Sequence, residues 1–241
     1  MGHIIKFFRS YISCGIYLLT IRGKVNRMAK HPERYTLEQR YTYAQKIVRK
    51  LLKKLKVSIE VSGLEHIEGN EKTLVVPNHR SLLDCLVLVA VCDKPLSFVA
   101  KDEAKDIVVI GKLTRLLDTL YLQRNNLRQS LQIMKEVANR LNDNKAVVIF
   151  PEGTRNRTTQ PIQEFKPGAF KGAIESQASI VPVVLRGTDD ILSSEVKKRY
   201  KVSIEILEAV HYEDYKDLSS VELSTQLHLL MTEQYKNPID L

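Results

Sequence analysis

Residues 73–91 read TLVVPNHRSLLDCLVLVAV, and this stretch decides the fold class. Thr73 to Val76 is an apolar, β-branched run of strand length. Pro77 and the polar Asn78-His79-Arg80-Ser81 interrupt it, and Leu82 to Val91 continues as an apolar segment of helix length. An apolar strand followed at once by an apolar helix suits a parallel sheet covered on both faces. The polar turn then lies at the strand's carboxyl end.

The same texture extends on both sides. Strands are predicted at Val57 to Val61, Leu96 to Ala100, Thr119 to Leu122, Ala146 to Phe150, Ile180 to Leu185 and Val202 to Leu207. Helices are predicted at Leu127 to Leu141, Ala169 to Gln177 and Val221 to Tyr235. The expected fold is α/β, a mostly parallel sheet flanked by helices. The chain has 241 residues, 44% hydrophobic and 27% charged, which excludes a disordered chain. Cys14, Cys85 and Cys92 are too few for a disulfide scaffold and lack metal-ligand spacing, so free thiols and no metal are expected.

Charge divides the chain near residue 56. Residues 1–56 hold 14 Lys and Arg against 2 Asp and Glu, leaving 23 basic and 26 acidic residues in 57–241. The net +9 therefore belongs to an amino-terminal arm, which seeks a polyanion: nucleic acid or an anionic bilayer. From His3 to Arg22 the arm is rich in Ile, Phe, Tyr and Leu, yet Lys6 and Arg9 break it and the uncharged run from Ser10 to Ile21 is too short to span a bilayer. Arg22-Gly23-Lys24 follows in place of a signal cleavage site. After His31-Pro32, residues Thr36 to Lys56 set Leu37, Tyr41, Ala44, Val48, Leu51, Leu52 and Leu55 at helical spacing, with basic residues largely between them. Such a helix either lies on an anionic membrane or packs on the core with a solvated basic face. Together with the apolar segment before it, residues 1–56 are expected to form a helical hairpin on the cytoplasmic face of the cell membrane, a monotopic and peripheral attachment. Residues 57–241 form the α/β domain.

Polar groups follow several of the strands: Asn78-His79, Lys101, Arg124, and Glu152-Gly153-Thr154-Arg155. If those strands are parallel, one edge of the sheet gathers an imidazole, a carboxylate and several cations, as a site for an anion and a proton transfer requires. Five residues of helix turn through about 500°. His79 must therefore precede the helix for Asp84 to reach it. With Ser81 as N-cap and Asp84 in the first turn, the segment is a capping box. The same geometry lets Asp84 hold one imidazole nitrogen while the other takes a proton. The Gly-containing turn at Glu152 to Arg155 offers amides and a guanidinium to a phosphate. Gly111-Lys112-Leu113 fails the P-loop pattern.

Asn78 to Asp84, Phe150 to Arg155, Phe165-Lys166-Pro167-Gly168-Ala169-Phe170 and Val181-Pro182-Val183-Val184, in this order and spacing, resemble the glycerolipid acyltransferase family. The likeness is strongest to its bacterial members that make phosphatidic acid from lysophosphatidic acid. It implies His79 as general base and Asp84 as its partner. It also implies Arg124, Glu152, Gly153, Thr154, Arg155 and Lys101 around the acceptor phosphate, and Pro182 near the acyl chain or donor. Gln123 stands where the family often has Asp.

The implied partners are lysophosphatidic acid and an acyl thioester of coenzyme A or acyl carrier protein as co-substrate, with no bound cofactor, no metal and no nucleic acid. With no GxSxG elbow, direct transfer to the sn-2 hydroxyl is expected. Glycerol 3-phosphate or another lysophospholipid is the alternative acceptor. A non-catalytic membrane or nucleic-acid binding module is the alternative class.

Overall fold

The computed structural model describes residues 2–106, 110–123, 127–192 and 198–237. Seven strands form the sheet: β1 (Val57–Ser62), β2 (Thr73–Pro77), β3 (Leu96–Lys101), β4 (Leu120–Leu122), β5 (Ala146–Val148), β6 (Ser179–Arg186) and β7 (Tyr200–Ile206). Their spatial order is β1-β7-β6-β2-β5-β3-β4. β2 pairs in parallel with β5 and β6, β5 with β3, and β3 with β4. β7 is antiparallel to β6, and β1 is parallel to β7. The carboxyl ends of β2, β5, β3 and β4 therefore share one edge, as the sequence required.

The helices are α1 (Gly2–Lys30) and α2 (Leu37–Lys54) before the sheet, α3 (Glu65–Glu68), α4 (Asp84–Val91), α5 (Ile110–Leu116), α6 (Leu127–Asn142) and α7 (Lys171–Ser176) between strands, and α8 (Tyr212–Tyr215) and α9 (Ser220–Lys236) after it. The short helices α3, α5 and α8 were not legible in the sequence. α4 begins two residues later than the capping box predicts, because Ser81 Oγ accepts from Leu83 N while the Asp84 carboxylate accepts from Ser81 N.

Strand alternation divides the core in two. Val75, Val148, Val181, Val183 and Leu185 face the cluster under α1, α2, α4 and α5. Leu74, Val76, Val147, Ile180 and Val184 face the cluster under α6, α7 and α9. Central strands buried on both faces read as continuous apolar runs for this reason. Pro182 sits inside β6, in register with Val76 of β2. On its other side the β6–β7 pairing shifts between Val183↔Ile206 and Ile180↔Val210, a bulge where the missing N–H is tolerated.

The compositional boundary near residue 56 is not a boundary of the core. α2 starts with a Thr36–Gln39 capping box and buries Tyr41, Ala44, Ile47, Val48, Leu51 and Leu52 in the cluster that also contains β6 and β7 residues. Each large apolar side chain contributes about 1.5–3 kcal/mol on burial, so this face is fixed against protein. Polar bonds lock it further: Tyr41 Oη and Gln45 Nε2 donate to Cys92 O at 3.1 and 2.7 Å, and Arg49 Nε to Ala90 O at 2.7 Å. Arg40 is buried and donates to Arg115 O, leaving Lys46, Arg49, Lys50 and Lys53 on the outer face. α1 joins α2 through Lys24 over the Tyr43 ring and Lys50 over Tyr17. Ile12, Ile16 and Leu19, spaced four and three apart on α1, are exposed. Among the described residues no helix is long and apolar enough to cross a membrane.

Candidate active site

The site is built where β2 ends. Asn78 is buried and extends the β2–β6 ladder with its side chain, accepting from Leu185 N at 2.7 Å and donating to Leu185 O at 3.0 Å. This fixes where the chain turns outward into His79. The His79 amide donates to Glu152 Oε1 at 2.6 Å and its carbonyl accepts from Asn156 N at 2.7 Å. The imidazole lies 4.2 Å from the Phe150 ring, centroid to centroid. Backbone and ring are thus held by the segment leaving β5, as the shared edge of parallel neighbours allows.

Asp84, at the start of α4, is fully buried. Its Oδ2 meets three groups at 2.8 Å: His79 Nδ1, Arg80 N and Ser81 N. One oxygen thus holds the imidazole and ties down the turn before α4, whose N-cap is Leu83 in place of the expected Ser81. Oδ1 is buried without a partner among the described residues. A carboxylate accepting from Nδ1 places the ring hydrogen there and leaves Nε2 with a lone pair. That nitrogen has no protein partner among the described residues, and the side chain is 17% exposed.

Glu152 differs from the sequence expectation. It is buried, and its two oxygens accept from the amides of His79 and Gln163. Burial lifts its carboxyl to about 7, with the two amide bonds pulling the other way. A carboxylate so engaged turns both oxygens inward and holds the backbone of the base. The adjoining Gly153 has φ +65°, and a Cβ there would come within 3.1 Å of the Lys166 side chain. Thr154 and Arg155 are exposed, and Arg155 makes no ion pair among the described residues. It directly precedes Asn156, the residue bonded to His79 O.

The other expected residues lie further off. Lys101 ends β3, two strands from β2 and so roughly 10 Å away along the edge, and pairs with Glu103 at 3.1 Å. Arg124 lies outside the described residues. Pro182 is buried within the sheet and does not line the rim. Sequence reasoning missed Arg80, whose Nε bonds Asp189 at 3.0 Å and whose Nη1 bonds Gln160 O at 3.2 Å, bracing the loop after Arg155 against the exit of β6. It also missed Phe150 and Gln163 as parts of the site. Burial pushes the Cys85 thiol up to about 12, with the Asp84 charge adding to it, so this neighbour of the dyad is not a ready nucleophile. Among the described residues, no group of three or more His, Cys, Asp or Glu is placed to hold a metal.

A histidine with one nitrogen on a buried carboxylate and the other open, at the carboxyl edge of a parallel sheet, is a site for taking a proton from a hydroxyl. The profile of the Acyltransferase family matches residues 58–186, over half of the chain, and the chain belongs to that family. It is 30% identical over 216 residues to a probable 1-acyl-sn-glycerol-3-phosphate acyltransferase of Mycoplasma genitalium, covering 81% of this chain and 80% of that protein. It is 32% identical over 158 residues to the mouse 1-acyl-sn-glycerol-3-phosphate acyltransferase alpha, covering 64% of this chain and 55% of that one. The fold is that of the crystal structure of the Thermotoga maritima LPA acyltransferase PlsC, at TM-score 0.75 and 20% identity, over 100% of this chain and 98% of that one.

Proposed function

We propose that the protein transfers an acyl group from a thioester to the free hydroxyl of 1-acylglycerol 3-phosphate, giving phosphatidic acid. The observation that carries the proposal is the 2.8 Å His79–Asp84 pair, with Nε2 unpartnered among the described residues and the His79 carbonyl bonded to the amide that follows Arg155. His79 Nε2 takes the hydroxyl proton as the oxygen attacks the thioester carbonyl; the carbon–sulfur bond breaks and the thiolate leaves, receiving that proton. Asp84 holds the tautomer and steadies the imidazolium. Glu152 and Asn156 fix the backbone of the base. Arg155, with Lys101 further along the edge and with Arg124, grips the acceptor phosphate and holds the hydroxyl in register. The donor is an acyl thioester of coenzyme A or of acyl carrier protein. The α1–α2 hairpin seats the enzyme peripherally on the anionic cytoplasmic face of the membrane, with Ile12, Ile16 and Leu19 entering the interface and Lys46 and Lys50 meeting headgroups.

The test is thiol release from an acyl thioester, dependent on added lysophosphatidate. His79→Ala abolishes release with lysophosphatidate binding retained, and Arg155→Ala raises the acceptor KM at least ~10-fold. Substantial turnover by His79→Ala sinks the base assignment.

A further inference from the structure

A second cationic site lies away from the dyad. A cleft of about 960 Å³ opens between the end of α2, the start of β1 and the end of α4. Among the described residues, five basic side chains line it, Arg49, Lys53, Lys56, Lys198 and Arg199, and no carboxylate does. Arg49 is held by Asp93 at 3.0 Å. The other four are exposed and form no ion pair among the described residues. Four like charges brought together from α2 and from the approach to β7 repel one another, so the cleft favours a ligand bearing several negative charges. Its walls include Leu52, Val57, Ile59 and Val91, an apolar strip unsuited to a bare ion.

Resting on the acyl-transfer reading, we infer that this cleft holds the phosphorylated adenosine end of an acyl-coenzyme A donor. The acceptor carries one phosphate, and the Arg155 turn at the sheet edge supplies cations for it. Coenzyme A carries a diphosphate and a ribose phosphate beside a purine: several charges for the four free cations, and a flat ring for the apolar strip. A bilayer surface is planar and enters a concave site poorly. The reach is also suitable. α4 connects the two sites, with Asp84 at its first turn and Val91 at its last, about 10 Å apart along the helix axis. The extended pantetheine arm exceeds that span. No bond is made or broken in the cleft; it positions the thioester.

Steady-state kinetics of the full chain in detergent micelles test this, using palmitoyl-coenzyme A, palmitoyl-pantetheine and palmitoyl-acyl carrier protein as donors. The variants are Lys53→Gln/Lys56→Gln and Lys198→Gln/Arg199→Gln, exposed positions whose folding is checked by thermal melting. The expected result is a rise of ~10-fold or more in the palmitoyl-coenzyme A KM, with the lysophosphatidate KM and the palmitoyl-pantetheine kinetics at wild-type values. Adenosine 3′,5′-bisphosphate should compete with palmitoyl-coenzyme A in the wild type and lose potency in the variants.

An unchanged palmitoyl-coenzyme A KM overturns the inference. So does an equal effect with the pantetheine donor, an effect confined to the acyl carrier protein donor, or one confined to binding of anionic vesicles. Failure of wild-type protein to release thiol from any of the three donors removes the acyl-transfer reading itself, a separate outcome.

Discussion

Replacing Glu152 by glutamine keeps the shape of the side chain that holds His79 and removes its charge. In the folded protein burial raises this carboxyl from an ordinary 4.5 to about 7, against the pull of two amide donors and of Arg80. Between those values the folded state keeps a proton that the unfolded chain has released. The Glu152 contribution to stability is therefore fullest at low pH and is lost as pH rises through about 7. At 1.36 kcal/mol per unit, the loss between pH 5 and pH 8 is about 2–3 kcal/mol. Glutamine does not titrate, and every other ionisable group is common to both proteins. The wild-type-minus-variant difference in unfolding free energy should thus shift by about 2–3 kcal/mol between pH 5 and pH 8, with the variant gaining relative stability at the higher pH. Urea unfolding of both proteins at the two pH values measures it. A difference that stays constant within about 0.5 kcal/mol would refute the claim that a buried, reluctantly charged carboxylate sits under the base.

Asp84→Asn leaves an amide where one oxygen serves Nδ1 and two backbone donors; kcat should fall ~10³- to 10⁴-fold with the lysophosphatidate KM within a few fold, and a loss in KM alone contradicts the tautomer-holding role. Gly153→Ala forces φ +65° on a residue with a Cβ and crowds Lys166, so it should cost about 1–2 kcal/mol in thermal unfolding and raise the acceptor KM; a silent variant removes the turn from the site. Ile12→Ser, Ile16→Ser and Leu19→Ser together should lower partition onto anionic vesicles at least ~10-fold without moving Tm, since these side chains are exposed in the fold. Wild-type partition by the triple variant would place the membrane contact elsewhere.

Within the site, the His79 to Asp84 spacing was readable because both residues belong to one strand-turn-helix unit, in which chain geometry alone sets the approach. The role of Glu152 was not. Motif resemblance groups it with Arg155 around a phosphate, whereas its side chain turns inward to the amides of His79, 73 residues earlier, and Gln163, 11 residues later. Arg80 was given no role from sequence, because its partner Asp189 lies 109 residues away. The resemblance implied Pro182 near the acyl chain or donor; it is sealed between two strands, at a bulge that only the β6–β7 register reveals. The stripe on α2 showed the same gap: helical periodicity establishes that one face is apolar but not what covers it, and the answer is the core cluster shared with α4, β6 and β7.

By itself the sequence determined the sequence order and type of the longer elements, the charge division near residue 56, and a histidine with its carboxylate in one local turn. These depend on period, capping and short chain length, which are encoded within a few residues. Only the tertiary structure decided the strand order that brings β5 beside β2, the direction in which Glu152 and Arg80 point, and the cleft formed by α2, β1 and the segment before β7. Those depend on which distant surfaces bury each other, a choice made by the packing of the whole chain and written in no single segment of it.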